Sequence, residues 1–140
     1  MNKSGPIIII EDDKDDQELF GHVFKKFNYP NEVIFFADGF AALEHLTRTQ
    51  QQPFLILSDI NMPKLDGFKL REKIHNNDQL RLKCIPYLFF TTAADQQNVV
   101  IAYSKSIQGF FTKPDNYADL ERVLRNIIEY WKDCHSPLIK

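Results

Sequence analysis

Ile7-Ile8-Ile9-Ile10-Glu11-Asp12-Asp13 joins an unbroken apolar run to three acids, and both halves carry information. Four β-branched residues in a row suit a strand covered on both faces. They are too few for a signal-peptide core or a membrane span. Four more runs share this character: Val33–Phe36, Phe54–Leu57, Tyr87–Phe90 and Phe110–Phe111. Between them the apolar spacing turns helical. Leu19, Phe20, Val23, Phe24 and Phe27 make one stripe, and Phe40, Leu43 and Leu46 a second. Phe68 and Ile74 mark a weaker third, and Val99, Val100 and Tyr103 a fourth. Tyr117, Leu120, Val123, Leu124, Ile127, Ile128 and Trp131 draw the clearest face. Strand and helix thus alternate five times, which predicts an α/β fold with a doubly wound, five-stranded parallel sheet and right-handed crossovers. Asn76 to Ile85 is the least regular stretch and reads as a helix end plus a surface loop. Pro86 then opens the fourth strand, where a missing N–H is tolerated.

Composition agrees with one soluble domain. The chain has 140 residues, 44% apolar and 26% charged, enough for a single sizeable core. Seventeen basic against nineteen acidic residues leave a net charge of -2, which excludes a domain-wide basic field and argues against direct nucleic-acid binding. Cys84 and Cys134 have no C-x-x-C spacing and read as free thiols in a reducing cytoplasm. His22, His45, His75 and His135 show no metal spacing. No membrane partner is expected.

In open α/β sheets, ligands sit beyond the carboxyl ends of the strands. The first strand ends in Glu11-Asp12-Asp13, the third in Ser58-Asp59-Ile60-Asn61, the fourth in Thr91-Thr92 and the fifth in Thr112-Lys113-Pro114. The second ends in Ala37-Asp38-Gly39, a plain turn and helix cap. In the common flavodoxin-like order 2-1-3-4-5, the four reactive ends become neighbours and the inert one lies at the edge. Two carboxylates about 4 Å apart repel by about 4 kcal/mol at an effective dielectric of 20, so such a pocket calls for a cation. Hard oxygen ligands with open positions suit Mg²⁺ (or Mn²⁺), while Lys113 and Thr91 suit phosphoryl oxygens.

These residues are similar to those of a known family. The acidic cluster, the run Asp59-Ile60-Asn61-Met62-Pro63-Lys64-Leu65-Asp66-Gly67, Thr91 and Lys113-Pro114 resemble the receiver domain of two-component response regulators. The resemblance spans Ile7 to about Trp131 and is closest to the stand-alone, phytochrome-associated type, to which Asp15-Asp16, Thr91-Thr92 and Ile128-Glu129-Tyr130-Trp131 point. It implies a single receiver domain over residues 1–140, with a short tail at 132–140 and no output domain.

The resemblance also implies roles. Asp59 would accept a phosphoryl group from a phosphohistidine on a sensor histidine kinase or phosphotransfer protein. Asp12 and Asp59 would ligate Mg²⁺ directly, Glu11 through water and Asn61 through its backbone carbonyl. Three acids stand in a row, so the acidic pair is Glu11 and Asp12 if it follows the apolar run directly, and Asp12 and Asp13 if shifted by one. Lys113 would pair with Asp59 and then with the phosphoryl group, Thr91 would swing toward it, and Phe110 would be the coupled aromatic switch. The Lys113–Pro114 bond is expected to be cis. Asp13, Asp15, Asp16 and Glu18 read as a solvated helix start, and Asp66 as the cap of the third helix. Thr92, Phe110 and Ser106-Ile107-Gln108-Gly109 depart from the usual alanine, tyrosine and small-residue turn. The signal would leave by contact with a downstream protein. A homodimer through the fourth helix, fifth strand and last helix stays open, as does packing of Leu138 and Ile139 from the tail.

Overall fold

The isoleucine run is buried on both sides because it lies inside the sheet. In the computed structural model, which describes residues 1–137, β1 (Ile7–Ile10) pairs in parallel with β2 (Val33–Phe36) on one side and β3 (Leu55–Ser58) on the other. β4 (Tyr87–Thr91) and β5 (Gly109–Thr112) follow, giving the expected order β2-β1-β3-β4-β5. Ile7 and Ile9 face one core with Phe20, Val23, Leu124 and Ile128. Ile8 and Ile10 face the other with Ala42, Leu46, Leu70 and Ile74. Alternate side chains serve opposite layers, so neither face of the run has a place for a polar residue.

The helices are α1 (Lys14–Phe27), α2 (Gly39–Arg48), α3 (Gly67–His75), α4 (Asp78–Arg81), α5 (Gln96–Ser104) and α6 (Tyr117–Asp133). Each begins behind an Asp or Asn whose side chain accepts a backbone N–H three residues on: Asp13, Asp38, Asp66, Asn77, Asp95 and Asn116. Asp66 thus caps α3 as the sequence indicated, and Asp13 is spent on α1.

Two readings need correction. The stretch from Asn76 to Ile85 is not simply a loop: Asn77 caps a one-turn helix, α4, which buries Leu80 against the second core. Four residues are too few to display a helical period, so the turn left no pattern to read. The helical stripes also contain residues that stay outside, namely Leu19, Phe40, Val100, Tyr103 and Tyr117. For α5 this leaves Ala102 as its only fully buried residue. Leu138 and Ile139 lie outside the described residues. Among the described residues, no helix is long and apolar enough to cross a membrane.

Candidate functional site

The sheet ladder itself brings the reactive ends together. Asp59 continues β3 by donating its N–H to the Ile10 carbonyl at 3.0 Å. Lys113 continues β5 by donating to the Thr91 carbonyl at 3.0 Å. With β3 and β4 between β1 and β5, the Lys113 side chain reaches across two strand ends. Its Nζ lies 3.1 Å from Asp59 Oδ2 and 2.9 Å from Asp16 Oδ2, and it is paired with Glu11 Oε1.

The other Asp59 oxygen is also occupied. Oδ1 accepts the Ile60 N–H at 2.7 Å and the Thr91 hydroxyl at 2.5 Å. Thr91 Oγ1 in turn accepts the Ala93 N–H at 3.1 Å, tying the β4–α5 loop to the same carboxylate. Ser58 Oγ donates to the Asp59 carbonyl at 2.8 Å. Glu11 is 2% exposed, Asp59 9% and Thr91 0%, so both acids are held in a poorly solvated place.

Asp12 is exposed, and its carboxylate completes a cluster with Glu11 and Asp59 in which one oxygen from each lies within 4.8 Å of the others. Of the three consecutive acids, Glu11 and Asp12 thus lie together with Asp59, while the Asp13 side chain caps α1. Three carboxylates (Glu11, Asp16, Asp59) pair with one ammonium, and Asp12 lies beside two of them. Burial pushes the Glu11 carboxyl up to about 7, against the pull of Lys113 and with a further push from the Asp59 charge. Burial alone would lower the Lys113 ammonium, but its bonds to Glu11 and Asp16 and the Asp59 charge outweigh that and hold it above its ordinary value. An excess of hard anionic oxygens around a partly solvated opening fits a divalent cation such as Mg²⁺.

Asp16 is the residue the sequence reading missed. Its place in an acidic helix start predicts a solvated side chain, yet it accepts from Lys113. Its position three residues after the cap Asp13 puts it on the first turn of α1, beside the strand ends. Within a run of acids nothing distinguishes it until the cap is located. The expected cis bond is also corrected: among the described residues there is no cis peptide, and Lys113–Pro114 is trans. X-Pro bonds favour trans by about 0.5–1 kcal/mol, and Lys113 reaches its three partners from that isomer. Asn61 is exposed in the loop after Asp59, and Phe110 is half-buried on β5, its ring centroid 6.1 Å from that of Phe89.

Gly67 explains how that loop is held. Its N–H donates to the Ile60 carbonyl at 2.8 Å. A Cβ there would collide with the Asp59 carbonyl oxygen and come within 2.8 Å of the Phe89 ring. Gly67→Ala is expected to cost about 2–3 kcal/mol in urea unfolding, since backbone must shift rather than a flexible side chain. An unchanged midpoint would show that the loop is slack.

A parallel sheet in this order, with acids after β1 and β3, a hydroxyl at the end of β4 and an amine after β5, has the layout of a receiver. The profile of the response regulator receiver domain matches residues 7–125, and the chain belongs to that family. It is 32% identical over 130 residues to the response regulator Rcp1 of Synechocystis sp., spanning 89% of this chain and 87% of that one. The solved phosphorylated cyanobacterial phytochrome response regulator RcpA superposes with a TM-score of 0.86 at 27% identity, over 95% of this chain and 98% of that one. The Mn²⁺-bound form of Rcp1 superposes with a TM-score of 0.82 at 30% identity, over 94% and 98%. The stand-alone, phytochrome-associated type suggested by the sequence is therefore the type these relatives represent.

Proposed function

We propose that this receiver takes a phosphoryl group on Asp59 from a phosphohistidine of a kinase or phosphotransfer protein and passes the signal on by protein contact. The observation that carries this reading is the double grip on one buried carboxylate, Thr91 and Ile60 on Oδ1 and Lys113 on Oδ2. An Asp59 oxygen attacks phosphorus; the P–O bond forms, the P–N bond breaks, and the departing imidazole takes a proton. Glu11, Asp12 and Asp59 would hold a divalent cation, with the Asn61 backbone carbonyl as a further ligand, and the cation would supply charge neutralisation for the transferring group. That the Rcp1 relative has been solved in a Mn²⁺-bound form supports a divalent cation.

The product is an acyl phosphate carrying about -1.5 to -2 charges where the carboxylate carried -1. Lys113 and the Thr91 hydroxyl, both already bonded to Asp59, follow the charge onto the phosphoryl oxygens. Thr91 takes with it the loop anchored through the Ala93 N–H, which leads into α5. The half-buried Phe110 on β5 is the aromatic group that moves with it. The α5–β5–α6 face, where Val100 and Tyr103 are 59% and 55% exposed, is the surface that a downstream protein or a second copy reads. The test is intact-mass measurement after incubation with acetyl phosphate and Mg²⁺. One phosphoryl group per chain is expected, and no adduct would overturn the reading.

Metal binding should depend on pH with a defined sign. Glu11 serves the cation as a carboxylate, and its carboxyl is pushed up to about 7 by burial. Between pH 6 and pH 8 its ionised fraction rises about tenfold, so Mg²⁺ affinity by calorimetry should rise about tenfold too. Glu11→Gln should weaken binding and flatten the profile. A flat wild-type profile would remove Glu11 from the ligand set.

A further inference from the structure

At the end of the sheet opposite Asp59, a cavity of about 320 Å³ opens between α3, α4 and the end of α6. Ile74, Leu80, Ile85 and Trp131 give it apolar walls, and no Asp or Glu lines it among the described residues. Two arginines line it, Arg71, only 6% exposed, and Arg81. Arg71 Nε donates to the Lys105 carbonyl at 3.1 Å, one terminal nitrogen donates to the Ser106 carbonyl, and the guanidinium lies 5.4 Å from the centroid of the Tyr87 ring. The second terminal nitrogen has no hydrogen bond, and no carboxylate pairs with Arg71 among the described residues. Arg81 at the rim is already paired with Asp78 at 3.0 Å.

A buried guanidinium ordinarily has an anion beside it, because two carbonyl dipoles do not replace a full counter-charge. Here the cavity stands where that anion belongs. The one-turn helix α4, which interrupts the regular alternation of strand and helix, supplies Leu80 and Arg81 to its wall. We propose that this cavity binds a small organic carboxylate, whose anionic end meets the free edge of Arg71 and whose apolar body packs on Leu80, Ile85 and the Trp131 indole. The volume is at the small end of ligand pockets. The guanidinium fork matches a carboxylate, whereas an inorganic anion would leave the hydrocarbon walls unused. This site is independent of any role for Asp59.

Trp131 is the single tryptophan of the chain and lines the cavity, so its fluorescence reports occupancy. Benzoate, its neutral isostere benzamide and inorganic phosphate serve as probes on the full chain. Benzoate should change Trp131 emission saturably, with benzamide and phosphate each binding at least about tenfold more weakly, the scale of one charge-assisted hydrogen bond. Arg71→Met should erase the difference between benzoate and benzamide. Should that variant unfold, amide shifts of Ser106 and Gln108 in the wild type with each probe decide the matter. No saturable response to benzoate, equal binding of benzamide, or phosphate binding as tightly as benzoate would each overturn the proposal.

Discussion

Asp59→Asn should reduce phosphorylation by acetyl phosphate to background, a fall of at least about 10³-fold, while leaving the chain folded. The amide keeps an oxygen for the Ile60 N–H and the Thr91 hydroxyl, so the contacts at Oδ1 survive. What disappears is the anionic nucleophile and the charge that meets Lys113 at Oδ2. Loss of labelling with an unaltered circular dichroism spectrum is the expected pair of results. Labelling that persists in the variant would place the acceptor elsewhere, with Asp12 as the first alternative because it is the exposed member of the cluster.

Lys113→Met should have the second large effect, on stability as well as on transfer. The Lys113 side chain is 12% exposed and faces Glu11 at 2% and Asp59 at 11%. Removing one partner of a buried ion pair costs about 3–5 kcal/mol, because the remaining charges keep their desolvation without their attraction. Solvent access through Asp12 and protonation of Glu11 soften this to about 2–3 kcal/mol at pH 8. The pH dependence has a definite direction. Without the ammonium, the Glu11 carboxyl moves still further above its ordinary value, so its contribution is retained below about pH 4.3 and is lost as pH rises through the folded-state pKa. The gap between wild type and variant in urea midpoints should therefore be smallest near pH 5 and widest near pH 8, and Mg²⁺ should narrow it. A gap that is constant with pH would mean that Lys113 acts by packing alone.

The sheet was legible because buried parallel strands leave unbroken apolar runs, and Ile7–Ile10 serves two cores at once. The edge strands were equally visible in sequence, although β2 and β5 are only half-buried. The acids, hydroxyl and amine were legible because strand order alone makes their four ends adjacent. Three features were not. Asp16 looked like any member of an acidic helix start, since its contact with Lys113 depends on which neighbour caps the helix. α4 is one turn long and shows no period, so the cavity that it closes over Arg71 was invisible too. The exposed positions on α5 and α2, Val100, Tyr103 and Phe40, carry the same side chains as buried ones and differ only in what packs opposite them. Short-range pattern reports whether a residue is apolar; the tertiary arrangement decides whether it is covered.

The most direct measurement is chemical trapping of the phosphorylated wild type. Borohydride reduces an aspartyl phosphate to homoserine, and peptide mapping then reads its position. Homoserine at residue 59 alone, dependent on added Mg²⁺, is the expected result. Homoserine at Asp12, Asp13 or Asp16, or trapping at residue 59 that proceeds equally well with the metal chelated, would contradict the central role given to Asp59 and its acidic cluster.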